Sequence, residues 1–139
     1  MASIVKNEET EGCLRELLVT EGYQLSKERC WGETGVDIIA KRGGENIHIE
    51  VMGYKSSGPA RAKDFFQGFF RAVSRVKDGA TVCALAMPVN AKQGLPARAS
   101  QYGEAWTRIG NAFPELEIWL VDIDQRTYEK SIWNQWAVL

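Results

Sequence analysis

The chain has 139 residues, of which 45% are apolar and 25% charged, proportions typical of a soluble globular protein that forms one domain. Its 17 lysines and arginines are balanced by 18 aspartates and glutamates, which argues against a protein that coats nucleic acid through bulk positive charge. The three cysteines are widely spaced without a CxxC pair. This argues against a disulfide framework or a cysteine zinc site and favours a reducing, cytoplasmic setting.

No segment of the sequence is typical of secretion or of membrane insertion. The first residues, MASIVKNEETEG, become acidic at once and contain no apolar core like that of a signal peptide. No apolar run approaches the roughly 18 residues that span a bilayer. We therefore expect a protein without a membrane role.

Hydrophobic periodicity predicts helices and strands in a clear order along the first half of the chain. An amphipathic helix in NEETEGCLRELLVTEG has glutamates in its first turn and ends at Gly22, and a weak strand follows in YQLSKERC. Two runs rich in Val and Ile, GVDIIAK and NIHIEVMG, flank the RGGE segment at 42–45, which is a hairpin signal. A helix with a wide apolar face is predicted from about Ala60 to Asp78.

The second half of the chain continues the alternation. ATVCALAMPV is a continuous apolar run typical of a strand buried on both faces. RASQYGEAWTRIGNAF is predicted to be a helix that Pro114 ends, and ELEIWLVDI another strand, parallel to the previous one through a right-handed crossover. The tail, YEKSIWNQWAVL, is expected to pack as a short element. The order predicts an α/β fold, a central mixed sheet flanked by helices.

The predicted hairpin brings two acidic residues opposite one another. If the double glycine forms a two-residue turn, Arg42 pairs with Glu45, and Asp37 lies opposite Glu50. Carboxylates opposed on a sheet repel each other, and a divalent cation such as Mg²⁺ relieves that repulsion because hard ions bind carboxylate oxygens. The alternative is a different register, with one acid as a solvated residue on a half-exposed strand.

Alternation of side chains divides the hairpin into two faces. One face is wholly apolar and is expected to point into the core. The other face carries Asp37, Ile39, Lys41, Asn46, His48, Glu50 and Met52.

This arrangement resembles the PD-(D/E)xK superfamily, the restriction-endonuclease-like and Holliday-junction-resolvase-like nucleases. The aspartate of GVDII and the glutamate of IHIEVM match its motif, and the likeness extends from the first helix through ELEIWLVDI. The resemblance implies a three-layer restriction-endonuclease-like fold and hydrolysis of DNA phosphodiester bonds with Mg²⁺ or Mn²⁺. It also implies a homodimer, because many relatives pair in order to cut two strands.

The same resemblance implies which residues hold the metal ion. They are Asp37, Glu50 and the backbone carbonyl of Val51. An acid on the first helix often joins the site in relatives, and Glu11 is the preferred candidate over Glu8. Both glutamates also lie where negative charge stabilises the start of a helix.

The departure from the superfamily pattern is Met52, which stands where relatives have lysine. That lysine orients the attacking water and stabilises the charge that develops on the phosphate, and a thioether does neither. Three explanations stay open. The cation comes from Lys55, or from Lys63 or Arg71 on the next helix; or the protein is a catalytically silent nucleic-acid-binding, regulatory or immunity module; or the methionine is an engineered replacement.

The segment from Lys55 to Lys77 contains six basic residues and a single acid, Asp64. Such an excess is typical either of a solvated helix face or of a surface that holds a phosphate backbone. The expected DNA contacts are Lys55, Arg61, Lys63, Gln67 and Arg71. His48 is interpreted as a packing residue, because the superfamily chemistry uses no histidine there.

Overall fold

The computed structural model describes residues 4–28 and 35–137. Its helices in these ranges are α1 (Asn7–Thr20), α2 (Gly58–Val73), α3 (Leu95–Tyr102) and α4 (Glu104–Ala112). Its strands there are β1 (Gln24–Leu25), β2 (Ile38–Arg42), β3 (Glu45–Val51), β4 (Val82–Pro88), β5 (Leu116–Asp122) and β6 (Thr127–Ile132). The end of the predicted first strand, with Cys30, lies outside the described residues.

The described strands form one mixed sheet in the order of the sequence, β1-β2-β3-β4-β5-β6. β1, β2 and β3 are antiparallel, β3, β4 and β5 are parallel, and β6 pairs antiparallel with β5. Parallel neighbours require a crossover connection, and α2 and then α3 with α4 supply the two crossovers. The predicted mixed α/β sheet is confirmed, including the parallel pairing of β4 with β5.

Helices cover both faces of the sheet, as the predicted three-layer arrangement requires. On one face, Leu14 and Leu18 of α1 are fully buried in a core with Ile49 of β3 and its apolar neighbours. On the other face, α2, α3 and α4 enclose a second core in which Trp106 and Trp133 stack with ring centroids 3.9 Å apart. Among these helices, none is both long and apolar enough to cross a bilayer.

The β2–β3 hairpin has the predicted register. Arg42 is the partner of Glu45 across the turn, and Ile38 is the partner of Ile49. Gly43 has a positive φ of 58°, which a two-residue turn requires at its first central position. The same register places Asp37, which immediately precedes β2, opposite the buried Glu50.

The second face of the hairpin, which carries Glu50 and Met52, is covered by a helix. Helix α2 lies over it, so that His48 is 6% exposed, Glu50 4% and Met52 9%. The alternative interpretation, an acid exposed to solvent on a half-exposed strand, is therefore wrong for Glu50. The sequence pattern of this face was polar enough to suggest solvent, but the apolar side of α2 needs a surface to bury against.

Other details of the secondary structure also differ from the predictions. Helix α2 begins at Gly58, where the Ser57 hydroxyl accepts a hydrogen bond from the Ala60 N–H, and its end tightens into a 3₁₀ turn over Ser74–Asp78. The single helix predicted before Pro114 is broken at Gly103, whose φ is 53°. The tail contains a complete edge strand, β6, before a 3₁₀ turn.

We predict that Gly43→Ala lowers the free energy of unfolding by about 1 kcal/mol, because alanine is strained at positive φ. Gly44→Ala is the matched control, since Gly44 lacks the positive φ and a methyl group at either position meets no atom within 4 Å. Urea unfolding of the two variants measures the difference. Equal destabilisation would contradict a turn whose register depends on Gly43.

Candidate functional site

A polar cleft of about 110 Å³ opens where the end of β3 faces helix α2. The start of α1 and the residue before β2 complete its wall. The lining residues are Asn7, Asp37, Glu50, Val51, Met52, Asp64, Gln67, Gly68 and Arg71. The fold therefore brings together six of the residues predicted for the site from the sequence.

Asp37 is fixed at the cleft by hydrogen bonds on both its side chain and its backbone. Its Oδ2 atom accepts the N–H of Val51 at 2.8 Å, and its backbone carbonyl accepts a hydrogen bond from Arg15 Nη2 at 2.9 Å. Val51 lies two residues beyond the last ladder pair of the hairpin, Ile38 with Ile49. The Asp37 carboxylate thus takes the place of the backbone carbonyl that would accept the Val51 N–H if the β2–β3 ladder continued.

The Val51 backbone is directed toward the same side of β3 as the Asp37 carboxylate. In an antiparallel ladder, the N–H and C=O groups of one residue point toward the same neighbouring strand. Because the Val51 N–H reaches Asp37, the Val51 carbonyl also belongs to that side. The cleft therefore combines three carboxylates, those of Asp37, Glu50 and Asp64, with a peptide carbonyl.

Glu50 contributes a buried carboxylate to the cleft. Its Oε2 atom lies 3.8 Å from Nε of Arg75, whose side chain is 20% exposed. His48 lies two residues earlier on the same face of β3, and burial lowers the pKa of its imidazole. The neutral form of His48 is favoured at pH 7, which agrees with a packing role.

Met52 packs beneath Gly68 of helix α2. A Cβ atom added to Gly68 would lie 2.7 Å from Leu85 Cδ1 and 3.3 Å from Met52 Sδ. Glycine at position 68 lets α2 pass this close to β3 and β4 without displacing the side chains of Leu85 and Met52. The thioether of Met52 is consequently held in the floor of the cleft.

Besides Gly68, two lining residues, Asn7 and Asp64, are absent from the sequence predictions. Asn7 Oδ1 accepts the N–H of Gly53 at 2.7 Å, which fixes the start of α1 beside the end of β3. Asp64 lies three residues before Gln67 and seven before Arg71, so the three share one helix face. That spacing was a usable signal for Asp64, whereas no local pattern identifies Asn7.

Lys55 reaches the rim of the cleft through an ion pair. Its Nζ atom lies 2.9 Å from Asp64 Oδ1, and its own side chain is 54% exposed. Arg71 lines the cleft directly and is exposed. Of the three candidate replacements for the missing lysine, Arg71 lines the cleft, Lys55 is connected to it through Asp64, and Lys63 lies outside the lining.

The remaining predicted residues lie elsewhere. Glu11 Oε2 accepts a hydrogen bond from Arg15 Nε at 2.7 Å, which directs the glutamate to its own helix, and Glu8 is exposed near the helix start. Lys63 is exposed on α2 without lining the cleft, and Arg61 lines a neighbouring cavity. Sequence spacing alone does not distinguish the side of α2 that faces the sheet edge from the side that faces solvent.

The donor set of the cleft fits a hard divalent cation. Two carboxylates and a peptide carbonyl are the ligands that Mg²⁺ prefers, with remaining positions left for water and a phosphate oxygen. Among the residues that the structure describes, no cluster of three or more His, Cys, Asp or Glu side chains is arranged for metal binding. Asp64 of the cleft forms an ion pair with Lys55, and the candidate carboxylate ligands are therefore Asp37 and Glu50.

We predict that Gly68→Ala lowers the free energy of unfolding by about 1–3 kcal/mol, because the added methyl overpacks the contact with Leu85 and Met52. Gly12→Ala in α1 is the control, since its methyl meets nothing within 4 Å and helix propensity favours alanine by roughly 0.5–1 kcal/mol. Thermal unfolding by circular dichroism measures both changes. A neutral Gly68→Ala variant would show that α2 is free to move away from the sheet.

No protein-family model matches the chain, and no curated protein matches it significantly. Among solved structures, the chain is similar to the crystal structure of an FdxN element excision controlling factor protein from Anabaena variabilis. The TM-score is 0.57 at 16% sequence identity, and the match covers 90% of this chain and 98% of the other. At this identity the similarity is one of fold, a mixed sheet with helices on both faces.

Proposed function

We propose that this protein is a DNA-binding protein of the PD-(D/E)xK nuclease type, with a divalent metal site at Asp37, Glu50 and the Val51 carbonyl. The proposal rests on one observation. Asp37, just before β2, lies opposite Glu50 near the end of β3, and its carboxylate accepts a hydrogen bond from the Val51 N–H. The structural neighbour is named for control of the excision of an element, which agrees with a DNA-related role.

The proposed reaction is hydrolysis of a phosphodiester bond. A bound Mg²⁺ or Mn²⁺ ion supplies charge neutralisation at the phosphate and lowers the pKa of a coordinated water. Arg71 lines the cleft on its exposed side, where a guanidinium group is suited to a phosphate oxygen. Gln67, one turn earlier on α2, supplies a neutral donor at the same face.

The second candidate function is a nuclease fold that binds without cutting. The observation that favours it is Met52, a buried thioether at the position of the superfamily lysine. None of the residues that line the cleft is a lysine. If the parent chain does cut DNA, the cation that the superfamily lysine supplies comes instead from Arg71, or from Lys55 after release of its ion pair with Asp64.

We predict that Met52→Lys gains or strongly increases cleavage of plasmid DNA with Mn²⁺, because the cleft floor places an ammonium group beside two carboxylates. Asp37→Asn in the same background abolishes this activity. Asparagine is preferable to alanine here, because its carbonyl still accepts the Val51 N–H while the charge is removed. Gel assays of nicking and linearisation measure cleavage.

Met52→Leu is the matched control for packing, since it keeps the apolar volume and adds no cation. Calorimetric titration with Mn²⁺ gives a readout that does not depend on cleavage, and the parent is expected to bind the ion while Asp37→Asn is not. Absence of both metal binding and cleavage in Met52→Lys would reject the nuclease proposal.

If the parent chain itself cleaves DNA, we expect Arg71→Gln or Lys55→Gln to reduce the rate by about 100-fold, the usual effect of removing one donor to a developing charge. Lys130→Gln is the control for net charge, because Lys130 lies exposed on the edge strand β6. Rates of supercoiled plasmid loss at constant ionic strength measure the effect. Unchanged rates in both variants would exclude a relocated cation at either position.

A further inference from the structure

A second cavity, of about 210 Å³, adjoins the carboxylate cleft, and Met52 lines both. The start of α2 contributes Gly58 and Arg61 to its wall, and the start of α3 contributes Leu95 and Arg98. Tyr54, Phe65 and Met87 complete an apolar surface on the other sides. The cavity is thus part polar, part aromatic, and next to the proposed metal site.

The two arginines of the cavity are held by aromatic rings. The guanidinium carbon of Arg61 lies 4.8 Å from the centroid of the Tyr54 ring, and that of Arg98 lies 4.8 Å from the centroid of Phe65. Arg61 Nη1 also donates to the carbonyl of Lys55 at 2.8 Å. Both guanidinium groups are therefore oriented in advance of any ligand.

The charge of this cavity is not neutralised within the described part of the chain. Its lining contains Arg61 and Arg98 and no acidic residue. No carboxylate of the described residues forms an ion pair with either arginine. The first turns of two helices also border the cavity and add the positive ends of their dipoles. The positive charge of this cavity therefore favours an anionic ligand.

The small volume of the cavity and its aromatic and thioether side chains favour an anion that carries a flat ring. Drug-sized ligands occupy pockets of about 300–1,000 Å³, so this cavity holds a single ring system. Aromatic and thioether side chains stack well on a nucleobase. Arginine also binds phosphate with two parallel hydrogen bonds.

We propose that this cavity binds one unpaired nucleotide of a DNA strand, with the base in the apolar part of the cavity beside Met52 and the phosphate at Arg61 and Arg98. The inference rests on the proposed DNA-binding function and names its substrate class. A base that is paired and stacked within a duplex does not enter a pocket of this size, because it must first leave the stack. The substrate is accordingly a strand end or a single-stranded segment that continues into the carboxylate cleft.

Fluorescence anisotropy tests this substrate class with a labelled 12-nucleotide single strand and the blunt duplex of the same sequence, in EDTA at fixed salt. The single strand is expected to bind the parent about tenfold more tightly, a difference that stacking of one base supplies. Arg61→Gln and Arg98→Gln each remove this preference. Both arginines are only partly buried, so the variants are expected to fold, and circular dichroism verifies it.

Arg108→Gln is the matched control, because it removes the same charge from a side chain that is 78% exposed on α4. Equal binding of single strand and duplex by the parent, or equal weakening by all three substitutions, would overturn the inference and leave a nonspecific phosphate contact. Absence of any DNA binding would overturn it as well. Failure of the proposed nuclease function is seen separately, in Mn²⁺ titration and plasmid cleavage.

Discussion

The register of the β2–β3 hairpin determines the candidate site more than any other interaction in the molecule. A slip of one residue moves every side chain of a strand to the opposite face of the sheet. With Arg42 paired to Glu45, Asp37 lies opposite Glu50 and reaches the Val51 N–H at 2.8 Å. In any odd slip the two acids would lie on opposite faces, and neither a shared ion nor a shared substrate phosphate would be available to them.

Helix α2 converts this pair of acids into a cleft. Its approach to the sheet depends on Gly68, which leaves room for Leu85 and Met52 beneath it. The helix also gives one side of its length to the carboxylate cleft and its first turn to the neighbouring cavity. The two cavities therefore respond together to any movement of α2, and a strand bound across both would contact one continuous surface around Met52.

The amino-terminal segment, which is distant in sequence from the hairpin, forms part of the wall of the site. Val5 and Tyr54 form an antiparallel bridge, with N–H to O distances of 3.0 and 2.7 Å. A Cβ atom at Gly53 would lie 2.2 Å from the Val5 carbonyl oxygen, so the bridge requires glycine there. The bridge brings Asn7 to the cleft and keeps Tyr54 in place under the guanidinium of Arg61.

Local sequence patterns predict the α/β order, the hairpin turn with its register, and the opposition of Asp37 and Glu50, because each depends on residues close together along the chain. The burial of the second face of the hairpin, and the positions of Asn7 and Arg98 in the walls of the two cavities, follow only from tertiary contacts. The helix break at Gly103 and the edge strand β6 also escaped local patterns. These features depend on which surfaces meet across the sheet, and contacts between distant segments leave no periodicity in the sequence.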